Sequence, residues 1–366
     1  MSDEQRTRII LLDHHHPLLL FPNHDEINNI AHNNTTHHKN LDYEFNEHHH
    51  FIHHLYCQLQ HKMKNIKQRK YGFSITNSPL IHKINFKTWN RALIHSENSF
   101  DPTSVCISHS FQIILVSDYR HSRVEVFDLI SKNWKFGVDL WPDGFPTQMC
   151  VQENDEQYNQ ALIIACNSCI YKYDLKRFLS CCDIVSSQQT NALVNACIWE
   201  NRDCDWVQGM AISYTEKQLY ACDFIRGDLV LLDLQTGMFI RKIPMTDAFA
   251  VAFAENDQLL IVVKAGSCCV EIFRKENNLE WKLIKTIGGM GKEKFKFPSS
   301  VIADRFSRII IVADRDNKRI QIFSLDSFEF VTSMGDGREE LEFEYFPYSI
   351  GLNELNGELI VVEQQY

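Results

Sequence analysis

The sequence predicts an all-β fold: six small antiparallel sheets arrayed as a six-bladed β-propeller, preceded by a disordered N-terminal tail and one amphipathic helix. Three observations carry this. Residues 298–323 read as three short strands separated by polar turns. That pattern recurs six times in degenerate form, at a mean spacing of about 49 residues. A three-stranded sheet of this size cannot bury its own faces, so each copy needs neighbours.

The best-formed copy opens at Pro298, which biases the residue before it toward extended geometry. Residues 299–303 form a first short strand and 305–308 a polar turn. Residues 309–313 are an unbroken β-branched apolar run, too short for an ordinary helix and suited to a strand covered on both faces. A second polar turn, 314–318, leads to residues 319–323, which alternate as a strand with one polar face.

Shifted forward by 49, Pro347, Ile350 and Glu363 fall on Pro298, Val301 and Asp314. Shifted back by four such steps, Pro102, Val105, Asp118, Arg123 and Phe127 take the places of Pro298, Val301, Asp314, Arg319 and Phe323. Val207, Met210, Asp223 and Leu229 make another copy, as do Ala248, Val251, Lys264, Val270 and Phe273. The sixth, Pro146, Met149 and Cys166, carries extra residues within 153–160.

The run GGMGKEKFKFPSSVIADRFSRIIIVADRDNKRIQIF resembles an NHL repeat, with Asp314, Asn317, Arg319 and Phe323 at its signature positions. The likeness extends to the copies at Pro102 and Pro347, thins in the other three, and spans about residues 100 to 366. It implies a six-bladed propeller and leaves function open, because the family's functions are diverse. NHL propellers in eukaryotes often sit in ubiquitin-ligase or RNA-regulatory proteins. This chain has no Cys/His-rich zinc domain resembling a RING or B-box.

Residues 1–99 hold 11 Lys and Arg against 9 Asp and Glu, which leaves 26 against 38, a net of −12, in the remainder. An acidic propeller is a poor match for a phosphate backbone, so nucleic acid is not the expected partner. Residues 1–46 are rich in His and Asn with little periodicity and read as disordered. Residues 47–70 place Ile52, Leu55, Leu59, Met63 and Ile66 on one helical face. On that helix His49 with His53, and His50 with His54, are i,i+4 pairs able to chelate a metal; no cofactor is otherwise expected. The N-terminus lacks a signal-peptide pattern, no stretch reaches membrane-span length, and the twelve scattered cysteines read as reduced cytoplasmic thiols.

The propeller is expected over 71–366, with residues 96–366 supplying six repeats. Residues 71–95 are expected to complete the last blade, through a hairpin of residues 80–86 and 89–95; without them the chain should not fold. Outer strands are expected near 134–138, 239–243, 281–287 and 328–334, and residues 176–206 form an insertion holding Cys181, Cys182, Cys197 and Cys204.

All 17 histidines lie at or before His121, which argues against a channel zinc site like that of the amidating lyases, which needs ligands from several blades. Asp118, Asp223, Asp314 and Glu363 are hard oxygen donors, as in calcium-dependent lactonase-like propellers. Recurrence in copies favours turn capping instead, and Lys264 at the same position argues against a ligand ring. Cys166 and Cys169 flank a tight Asn-Ser turn. No nucleophile elbow, P-loop or dinucleotide fingerprint appears.

The turns between second and third strands share one rim and carry Arg120, His121, Arg226, Arg315 and Lys318. These are the candidate partner-binding residues. The expected function is a non-catalytic scaffold for a protein partner; calcium-dependent hydrolysis and single-stranded RNA binding are the alternatives.

Overall fold

A computed structural model describes residues 81–83 and 101–364, apart from 141–143, 156–158, 184–185, 277–279, 289–293, 336–342 and 344. The expected tail (1–46), the helix (47–70) with its histidine pairs, and most of 71–95 lie outside the described residues.

Five sheets have four strands each, in simple sequential order. Blade 1 is β2 (Pro102–Ser108), β3 (Ile113–Asp118), β4 (Arg123–Asp128) and β5 (Trp134–Asp139). Blade 2 is β6 (Pro146–Asp155), β7 (Asn159–Cys166), β8 (Cys169–Asp174) and β9 (Cys197–Asn201). Blade 3 is β10 (Val207–Ser213), β11 (Gln218–Asp223), β12 (Asp228–Asp233) and β13 (Phe239–Pro244). Blade 4 is β14 (Ala248–Ala254), β15 (Leu259–Lys264), β16 (Cys269–Glu276) and β17 (Glu280–Gly288). Blade 5 is β18 (Pro298–Asp304), β19 (Ile309–Asp314), β20 (Arg319–Ser324) and β21 (Phe330–Met334). The sixth sheet has three strands, β22 (Phe346–Asn353), β23 (Glu358–Gln364) and β1 (Ile81–Lys83).

First strands touch in cyclic order, from β2 to β6 and on to β22, and β22 touches β2. The ring is therefore closed. The second strands explain its stability. Ile309 and Ile311 pack with Ile350, Leu359 and Val361 of the sixth sheet, whereas Ile310 and Val312 pack with Leu259, Ile261 and Val263 of blade 4. Successive residues of a strand point to opposite faces, so each β-branched run serves two seams. At the closing seam, Ile360 and Val362 of the sixth sheet meet Ile114, Val116 and Phe127 of blade 1.

In every sheet the residues matched by the repeat are cross-strand partners: Pro102 with Asp118, Pro146 with Cys166, Val207 with Asp223, Ala248 with Lys264, Pro298 with Asp314, and Pro347 with Glu363. A β-bulge follows in each first strand. The rim where first strands begin and second strands end is called the upper rim below.

Among the described residues the ring comprises five four-stranded blades and a sixth sheet of three strands. Its third strand, β1, pairs in parallel with β23, Ile81 to Leu359 and Lys83 to Val361; the rest of the hairpin expected over 80–95 lies outside the described residues. In the four-stranded blades the outer strand likewise has the direction of the second.

The insertion in blade 2 folds as α1 (Leu175–Leu179), a 3-10 turn (Ser180–Asp183) and α2 (Ser186–Ala196). Asp174 caps α1 by accepting from the Arg177 amide at 2.8 Å. Phe178, Cys181 and Leu193 pack with Val126 and Val138, filling the seam between blades 1 and 2. The eleven described cysteines form no disulfide with one another; Cys166 and Cys169 face each other across the Asn167 turn, as expected. Among the described residues no helix is long and apolar enough to cross a membrane.

Candidate functional site

One device recurs on the upper rim in blades 1, 3 and 5 and in the sixth sheet, and is inverted in blade 4; in blade 2 its position is held by Cys166. The carboxylate ending the second strand turns back onto the loop that enters the first strand of its own blade. Asp118 accepts from the amides of Asp101 (3.4 Å) and His121 (3.3 Å). Asp223 accepts from those of Asp205 (2.9 Å), Trp206 (3.3 Å) and Arg226 (3.3 Å). Asp314 takes the Lys296 amide at 2.7 Å, and Glu363 the Tyr345 amide at 2.7 Å. In blade 4 the device is inverted: Lys264 donates to the Thr246 carbonyl at 2.5 Å, while Asp247 accepts from Gly266 (2.9 Å) and Ser267 (2.5 Å). The carboxylates thus act as turn and loop caps. Burial still raises the Asp118 carboxyl above its ordinary value, although His121 Nδ1 lies 2.6 Å away and opposes the shift.

The loop entering each first strand carries the residue just before the matched Pro, Val or Ala, and around the ring this position reads Asp101, Phe145, Trp206, Asp247, Phe297, Phe346. Four of six are aromatic. The bulge residue just inside completes the surface: Thr103, Thr147, Gln208, Phe249, Ser299, Tyr348. A bulge re-aims its side chain. The small hydroxyls stitch neighbouring blades, Thr103 donating to the Pro146 carbonyl at 2.8 Å and Thr147 to that of Val207 at 2.7 Å. The large ones reach across the ring: the Tyr348 hydroxyl donates to Gln208 Oε1 at 3.1 Å, and Phe249 lies 6.1 Å from Tyr348 and 5.4 Å from Phe297. Phe224 joins them, 5.7 Å from Phe249.

The rim cations serve this surface. The Arg315 guanidinium lies 4.3 Å from the Phe297 ring centroid and 5.9 Å from that of Tyr348; Lys318 Nζ lies 5.1 Å from that of Phe346. Arg226 is bidentate to Asp205, at 2.7 Å on both oxygens, and also bonds the Asp203 carbonyl. His121 is held on Asp118, and Arg120 is exposed on its turn. A second aromatic group sits opposite: Tyr119 is 5.2 Å from Phe145 and 6.4 Å from Trp206. Burial, then the Asp101 charge, pushes the Tyr119 phenol up.

The signature residues divide by blade. In blade 5, Asp314 Oδ2 accepts from Asn317 (2.9 Å), Arg319 (2.7 Å) and Gln321 (2.9 Å). In blade 1, Arg123 turns instead to Asp139 at 2.6 Å. Phe323 is buried against Phe295 and Phe330. Among the described residues no three His, Cys, Asp or Glu side chains are grouped to hold a metal.

Sequence reasoning located the rim turns and their basic residues but missed the aromatic and bulge positions. Their signal was present in the column before the matched proline, where Phe-Pro recurs at 145, 297 and 346.

No family model and no curated protein matches the chain. Among solved structures it is similar to hydrazine synthase of Kuenenia stuttgartiensis, at 11% identity and a TM-score of 0.51, over 75% of this chain and 98% of that one. It is also similar to the β-propeller domain of Cps50 (Swd1) from Myceliophteria thermophila, at 12% identity and a TM-score of 0.48, over 70% and 78%. The likeness is one of fold. At such identity, chemistry is not transferable from either neighbour.

Proposed function

We propose that this chain is a non-catalytic interaction module whose upper rim is displayed to a protein partner. The observation that carries the reading is the aromatic band on that rim, contributed by every sheet. Aromatic and arginine side chains dominate interface energies. Apart from Phe145, whose blade has Cys166 at the capping position, they stand here on loops held by carboxylate caps, so binding orders little and loses little entropy. Arg120 and Ile225, which is 66% exposed, offer contact from the same turns. Arg226, Arg315 and Lys318 add charge, and His121 a polar ring, while holding the surface in shape.

Membership of the NHL-type propellers and a cytoplasmic setting belong to this reading. The recurrence of the repeat as one strand register supports the first, and the lack of a disulfide among the described cysteines suits the second. The end-of-strand carboxylates are engaged by their own loops, which favours binding over a hub-metal hydrolase. The net charge of −12 beyond residue 99 disfavours RNA.

The test compares proteins retained by the full chain with those retained by Ile225→Asp and Phe297→Ala, using Phe111→Ala on the opposite rim as control. Both upper-rim variants are expected to lose a partner by about tenfold or more, as hot-spot truncations do, while the control keeps it. Retention of the same partners by both upper-rim variants at wild-type strength sinks the proposal.

A further inference from the structure

We propose that Phe145, Tyr119 and Trp206 form a receiving site for a cationic side chain, arginine or lysine, of the incoming polypeptide. This rests on reading the upper rim as an interaction surface, and names the chemistry that half of it takes.

The argument comes from the repeat. Phe145, Trp206, Phe297 and Phe346 occupy one position in four sheets. Two of these rings already carry a cation of this chain: Arg315 on Phe297 at 4.3 Å and Lys318 on Phe346 at 5.1 Å. Both cations come from the turn between second and third strands of blade 5. At the other two rings the corresponding turn, that of blade 1, presents Tyr119, which packs against both. Among the described residues no cation stands over Phe145 or Trp206. Phe145 is 37% exposed and Trp206 half-buried, so their surfaces are reachable from solvent.

The electrostatics point the same way. An aromatic face attracts a cation through its quadrupole, more strongly as water is excluded. Asp101 lies close enough to raise the Tyr119 phenol. Of the rim cations, Arg226 is engaged by Asp205 and the Asp203 carbonyl, and Arg120 follows Tyr119 on the blade 1 turn, exposed to solvent. An acidic propeller whose aromatic group is covered by no cation among the described residues complements a basic side chain.

The experiment titrates full-length protein with N-acetyl-arginine methylamide and N-acetyl-lysine methylamide, with the neutral citrulline analogue as control, following the Trp206 indole N–H by NMR. The cations are expected to shift it saturably, with affinity on the order of tens to hundreds of millimolar for one side chain, and the citrulline analogue to leave it in place. Phe145→Leu is expected to weaken the effect by about tenfold, and Phe111→Leu to leave it unchanged. Should Phe145→Leu fail to fold, Tyr119→Leu provides the same comparison. An absent shift, an equal shift with citrulline, or undiminished affinity in the ring variant overturns the inference. If the cations fail to bind while Ile225→Asp still abolishes partner retention, this site falls and the rim reading stands. If they bind while both upper-rim variants retain their partners, the site stands and the rim reading falls.

Discussion

Asp314 accepts four hydrogen bonds, from the Lys296 amide and from Asn317, Arg319 and Gln321, and is wholly buried. Its neighbour Arg319 is largely buried too, with 15% side-chain exposure. Truncating one member of such a pair leaves the other's charge without its counterion inside the protein. Asp314→Ala is therefore expected to cost about 3–5 kcal/mol of unfolding free energy, with Asp314→Asn milder because its amide oxygen still accepts. Denaturant unfolding reads both; a loss below about 1 kcal/mol in the alanine variant would show that the carboxylate does not hold the loop. The importance of Asp314 was legible from recurrence, and turn capping was the expected use. The inversion at Lys264 and Asp247 was not legible, because it preserves the link while exchanging which strand end supplies the carboxylate. Gly209 is a similar case. A Cβ there would lie 2.6 Å from Ala250 Cα, so close approach of two first strands requires glycine.

At the level of the element, the bulged first strand turns a repeat into a surface. One extra residue re-aims a side chain; Thr103, Thr147 and Ser299 use it to bond the next blade, whereas Gln208, Phe249 and Tyr348 use it to fill the ring mouth. Thr147→Val keeps the shape and removes donation to the Val207 and Ala165 carbonyls. It is expected to cost about 1–2 kcal/mol in chemical denaturation, and an unchanged midpoint would mean that the stitch adds nothing. The strands themselves were legible, since turn chemistry and β-branched runs mark them locally. The parallel pairing of β1 was not, because three residues have no local signal for the sense of their pairing.

For the molecule as a whole, the decisive contact is the closing seam, where Ile360 and Val362 meet Ile114, Val116 and Phe127. Ser349 Oγ accepts the Val105 amide there at 3.2 Å, as Ser104 Oγ accepts that of Met149 at 3.0 Å one seam away. The closing seam is thus built like an internal one. Ile360→Ala is expected to destabilise by about 2–5 kcal/mol, matching Ile163→Ala at the seam between blades 2 and 3 and keeping a single cooperative transition. A much smaller loss at Ile360, or an early separate transition, would mean that the ring opens at that seam.

Alone, the sequence determined the strands, their spacing and the ring they build, because alternation, turn residues and recurrence are local properties that every copy repeats. Only the tertiary structure decided what the upper rim is made of. Phe145, Trp206, Phe297 and Phe346 are far apart in the chain, and only ring closure brings them to one face. There, among the described residues, Arg315 and Lys318 cover two of these rings.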